Sequence, residues 1–180
     1  MESKFLFNPF TRIAGVKSLI IGLVVLFVLS FLSFITGTHF YGFYIIPAKD
    51  SDFWVYLVEN ISNWVFISVF LFVAGLILSK SKIRAVDIFG TTLLSTIPLM
   101  IVPIIRLIPA LQTFVSQSFA MFAVTVVAII AVIWTITLLF NAYKVSCNLK
   151  NEKLIVSFIV SMILSLLGTQ IFLRAVIYKI

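Results

Sequence analysis

The chain has 180 residues, of which 62% are hydrophobic and only 11% charged, and its formal net charge is +7. Soluble domains are about a quarter charged, so this chain lacks the polar side chains needed to cover a water-facing surface. Its length and its mean hydropathy of +1.23 point to one all-α polytopic membrane unit over 1–180, with room for about five crossings of roughly 20 residues each.

The first element expected is an interfacial helix over 5–13, Phe5-Leu6-Phe7-Asn8-Pro9-Phe10-Thr11-Arg12-Ile13. Asn8 suits the cap and Pro9 the first helical position, and Phe10, Ile13 and Ala14 would then face lipid. The first apolar run, 16–36, is too long for a signal peptide and has no small-residue cleavage site, so it reads as a retained span. A polar but aromatic stretch from Thr38 to Asn63 follows. Its Tyr41, Tyr44, Trp54 and Tyr56, with Trp64 just beyond, are amphipathic rings of the kind found at headgroup depth, so the segment is expected to lie on the membrane. Within it, Asp50-Ser51-Asp52 before Phe53 is a helix-start signal.

Four further apolar runs cover 61–79, 85–108, 119–142 and 154–175. At 1.5 Å per residue each can cross a hydrocarbon layer about 30 Å thick. Lipid leaves no partner for free backbone groups, so these runs must be helices despite their β-branched residues. The run 85–108 differs from the rest. It has Asp87 and Arg106 near its ends and contains Pro98 and Pro103, with Pro109 just after. Proline inside a helix frees a carbonyl and bends the axis, so a kinked span is expected.

The Lys and Arg residues stand at the ends of these runs, where they face anionic headgroups, and no nucleic-acid partner is expected. With the N-terminus inside, Lys4, Arg12, Lys17, Lys80, Lys82, Arg84, Lys144, Lys150 and Lys153 fall on the inner side. Lys49, Arg106, Arg174 and Lys179 fall outside, with Asp50, Asp52 and Glu59 in the first outer loop. Nine against four chooses an inner N-terminus and an outer C-terminus.

A search for catalytic chemistry yields nothing that assembles. His39 is the single histidine, so no zinc site of the His-Glu-x-x-His kind is available. Cys147 is the single cysteine, which excludes an intramolecular disulfide and a cysteine metal site; it reads as unmodified. There is no nucleophile elbow and no glycine-rich phosphate loop. His39 reads as an interfacial hydrogen-bonding group and Arg106 as a side chain that snorkels outward or meets headgroups. Asp87 lies three residues after Arg84, close enough for an ion pair on one helix that also suits the helix dipole. Ser157, Ser161 and Ser165, with Thr169, form a ladder at helical spacing, as do Ser18 with Gly22 and Thr91 with Ser95. Such rows let membrane helices approach closely. The sequence therefore predicts a protein that is not an enzyme and has no cofactor, catalytic or metal residues. Its partners would be membrane lipids, other membrane proteins or a second copy of itself.

The stretch Phe89-Gly90-Thr91-Thr92-Leu93-Leu94-Ser95-Thr96-Ile97-Pro98 follows Lys82-Ile83-Arg84 and opens the third span. It resembles the Yip1 family, in which an aromatic-glycine pair enters the third membrane helix and a proline follows eight residues after the glycine. Phe89, Gly90 and Pro98 take those places. Thr91 stands where the family has a second aromatic, and the long N-terminal region and Asp-Leu-Tyr-Gly-Pro type motif of eukaryotic members are not found. The sequence is thus more similar to short bacterial members. The resemblance implies a non-enzymatic scaffold or organiser working through helix and lipid contacts in a bacterial inner membrane, without Rab binding. The alternative is a small transporter or channel component with a polar cavity past Ser157, Ser161, Ser165 and Asp87.

Overall fold

A computed structural model describes residues 10, 13–48, 51–108 and 118–178. Most of the expected interfacial helix lies outside the described residues. Among the described residues five segments are helical, long and apolar enough to cross a membrane, and the chain is an integral membrane protein built as an all-α bundle.

Helix α1 runs Val16–Thr36 and ends at Gly37. A short antiparallel hairpin follows, β1 (Thr38–Tyr41) pairing with β2 (Tyr44–Pro47), with His39 opposite Ile46 and Tyr41 opposite Tyr44. Gly42 turns it with φ of 67°, at the position where two-residue hairpin turns favour glycine. The aromatic stretch expected to lie on the membrane is folded as this hairpin and the start of the next helix. Helix α2, Phe53–Leu78, starts eight residues before the expected span, directly after Asp52.

The third span is broken rather than kinked. Helix α3 (Ala85–Leu94) gives way to a 3-10 turn (Ile97–Met100) and a short α4 (Ile101–Ile105). Pro98 has no N–H to offer the Leu94 carbonyl, and Pro103 none for Leu99, so neither bond of a continuous α-ladder can form. The Ser95 and Thr96 hydroxyls bond back to Thr91 O at 2.8 Å and Leu93 O at 2.7 Å, occupying carbonyls at the break. This span is also the central one. In its most apolar stretch 61% of residues are buried, against 28–39% in the other four.

Helix α5 (Ser118–Cys147) and helix α6 (Asn151–Leu173, continued by a wider turn over Arg174–Tyr178) complete the bundle. Helix α6 packs along α2, and α3 packs along α1. The largest buried cluster includes Leu71, Ile88, Leu139, Tyr143, Leu154 and Phe158. Phe10 is also in the core. Expected to face lipid, it is 2% exposed and packs on Leu94, Leu138 and Ala142, with Ile13 alongside.

One end of the bundle collects the start of α1, the α2–α3 link and the α5–α6 link, tied where Ser79 Oγ donates to Cys147 O at 2.7 Å. Lys17, Lys80, Lys82, Arg84, Lys144, Lys150 and Lys153 are exposed there. The hairpin occupies the opposite end.

Candidate functional site

The densest group of buried polar residues lies where the hairpin meets α2. A β-strand inside an apolar bundle must find partners for the backbone groups on its free edge, because lipid offers none. Here α2 supplies them from two positions one turn apart. Glu59 Oε2 accepts from the Phe40 N–H at 3.3 Å. Asn63 accepts from Gly42 N–H at 2.8 Å through Oδ1 and donates to Phe40 O at 2.8 Å through Nδ2. The helix thus imitates a third strand. Glu59 does more, because its Oε1 accepts from His39 Nδ1 at 2.7 Å.

His39 and Glu59 are 2% and 0% exposed. The imidazole stacks on Tyr56, with ring centroids 4.2 Å apart, and Tyr56 in turn donates to Ala48 O at 3.1 Å. Carboxylate bonding at Nδ1 fixes the ring and turns Nε2 away, and Nε2 is buried with no hydrogen-bond partner among the described residues. Arg106 lies at the same end. Its guanidinium donates to Gly37 O at 3.0 Å and Thr38 Oγ1 at 2.8 Å, and Thr38 Oγ1 lies 2.8 Å from Thr36 Oγ1. The end of α1, the start of the hairpin and the end of the third span are thereby joined by one side chain.

These positions correct several expectations. Arg106 does not snorkel outward, being 4% exposed and bonded within the protein. Tyr56 is fully buried rather than at a headgroup surface. Trp64 donates from Nε1 to Phe89 O at 3.0 Å. Glu59, read as one acid of an outer loop, is the partner of His39. The sequence shows His39 and Glu59 within one aromatic stretch around Gly42, but Lys49, Asp50 and Asp52 lie between them and no local spacing connects residues 20 apart.

The residues singled out on the third span meet α1 and α2. A Cβ on Gly90 would collide with Ser18 Oγ and stand 2.8 Å from Leu19 N and 2.9 Å from Gly15 O. Backbone therefore touches backbone here, which requires glycine. Phe89 packs edge-on against Trp64, with centroids 6.0 Å apart, and Pro98 is buried in the 3-10 turn. At the basic end Arg84 Nε lies 3.8 Å from Asp87 Oδ2, with side-chain exposures of 67% and 25%.

The serine ladder on α6 faces inward. Ser157 accepts from Tyr143 O–H at 3.0 Å, Ser161 donates to Phe70 O at 3.3 Å, and Ser165 donates to Met162 O at 2.8 Å. Cys147 is buried beside Gly75. Among the described residues, no group of three His, Cys, Asp or Glu side chains could hold a metal ion.

Comparison of the chain with protein-family models, with curated proteins and with solved structures finds no match.

Proposed function

We propose that this protein is a non-enzymatic membrane scaffold or organiser, similar to the short bacterial Yip1-like proteins, acting through helix and lipid contacts. It would sit in a bacterial inner membrane with its N-terminus cytoplasmic and its C-terminus outside. The observation that carries the reading is how the polar side chains of the spans are spent. Ser68 meets Thr92 at 2.6 Å, Trp64 meets the Phe89 carbonyl, Ser161 meets the Phe70 carbonyl and Tyr143 meets Ser157, all from one helix to another. Polar groups placed this way hold spans together. Meanwhile α1 and α6 present broad apolar faces outward, including Val24, Phe27, Ile159 and Ile163, which suit lipid or another membrane helix. The exposed basic end supplies contacts for anionic headgroups. Purification in mild detergent followed by mass spectrometry of the intact assembly tests the proposal. Retained anionic lipid or a stoichiometric membrane partner supports it, and a lipid-free monomer with no partner refutes it.

The second reading, a small transporter or channel component, is favoured by a cavity within the bundle whose largely apolar wall carries several hydroxyl and amide side chains. Ser165 and Thr169 line it, whereas Ser157, Ser161 and Asp87 do not. Flux across reconstituted vesicles separates the two readings.

A further inference from the structure

The cavity lies where all five spans and the hairpin turn converge, with walls that include Leu26, Gly42, Asn60, Thr96, Thr135 and Thr169. Its volume is about 50 Å³, and on that measure one water needs roughly 10–15 Å³, so about three fit. Thr135 is 1% exposed and its Oγ1 has no hydrogen-bond partner among the described residues. Thr137, two residues further along α5, behaves differently and donates to Ile133 O at 2.9 Å. Thr135 forgoes that bond to the preceding turn. A buried hydroxyl left without a partner costs about 1–3 kcal/mol, so its hydrogen-bonding capacity is expected to be met by something in the cavity.

The rest of the wall indicates what kind of molecule that is. Thr92 donates to Ile88 O at 2.8 Å, Thr96 to Leu93 O at 2.7 Å and Ser165 to Met162 O at 2.8 Å. Asn60 spends its amide N–H groups on Ser30 Oγ and Tyr56 O, at 3.1 and 3.0 Å. Each of these side chains has committed its donors and keeps acceptor lone pairs. The wall therefore keeps several free acceptor lone pairs and also offers donors, among them the Thr135 hydroxyl, which is buried and without a partner among the described residues. No charged side chain lines the cavity, so an ion entering it would be stripped of water without a countercharge.

We propose that this cavity is a binding site for small uncharged hydrogen-bonding molecules, occupied by water and anchored on Thr135 Oγ1. The site stands apart from the organising role and requires no flux through the bundle. Two measurements test it on the whole protein in detergent or lipid. The first is thermal unfolding of Thr135→Val, which keeps the shape and removes the hydroxyl. If the hydroxyl holds water, Tm falls by roughly 2–4 °C and Thr135→Ser restores it. If the hydroxyl is an orphan in a dry cavity, valine raises Tm and the proposal is overturned. The second is an experimental structure that resolves waters, determined with and without xenon. Ordered density within hydrogen-bonding distance of Thr135 Oγ1, undisplaced by xenon, supports the site even if the valine variant fails to fold. An empty cavity, or one that fills with xenon as dry apolar cavities do, overturns it.

Discussion

Two carboxylates in this chain sit in opposite circumstances, and the difference sets what each contributes. Glu59 is enclosed and accepts from both His39 Nδ1 and the Phe40 N–H. Replacing it with leucine would orphan two buried donors, at about 1–3 kcal/mol each. Glu59→Leu should therefore lower Tm strongly or abolish folding, while Glu59→Gln, which keeps an acceptor, should lose less. Thermal unfolding of the two variants side by side checks the order, and equal losses would argue that charge rather than hydrogen bonding is what matters. Asp87 faces an arginine that is two-thirds exposed, where screening leaves such pairs worth about 0–1 kcal/mol. Asp87→Asn should accordingly leave Tm nearly unchanged, and a large loss would assign Asp87 a role beyond that pair.

At the level of elements, the third span depends on two kinds of residue. Prolines set where its helix stops, and Gly90 sets how closely it meets α1. Gly90→Leu would force apart two backbones already in contact, and overpacking of this kind costs about 1–3 kcal/mol or more. The variant should unfold earlier and run as a different size in detergent; unchanged stability and size would refute the close approach. The hairpin depends on Gly42 in the same way, for φ of 67° and the Leu166 side chain beside it both disfavour a Cβ. Its sequence signal was legible: β-branched and aromatic residues on both sides of a glycine are a hairpin pattern. The headgroup reading of the same tyrosines and tryptophans obscured it, and only the tertiary structure shows Glu59 and Asn63 satisfying the strand edge.

For the whole molecule, the proposed orientation is open to direct test. With Cys147 replaced by serine, a cysteine at Lys80 should react with an impermeant thiol reagent only from the cytoplasmic side, and one at Tyr44 only from outside. Both positions are exposed, and the reverse pattern would invert the topology. Native Cys147 is fully buried and should react only after denaturation.

The number of spans, their helical character and the departure of the third from a straight helix were determined by the sequence itself. Apolar length, the lack of hydrogen-bond partners in lipid and the missing proline N–H are local properties that no distant residue can revoke. Tertiary structure alone decided which polar groups meet. His39 and Glu59 are 20 residues apart, Arg106 lies 68 residues from Thr38, and the cavity takes a wall from every span. Their juxtaposition depends on how the helices pack, and packing is specified jointly by side chains scattered along the chain. Arg106 and Phe10 show the physical reason most directly. Local sequence points Arg106 outward from the end of a span and Phe10 to lipid from an interfacial helix, yet each is held inside because the bundle offers it partners that the local sequence cannot display.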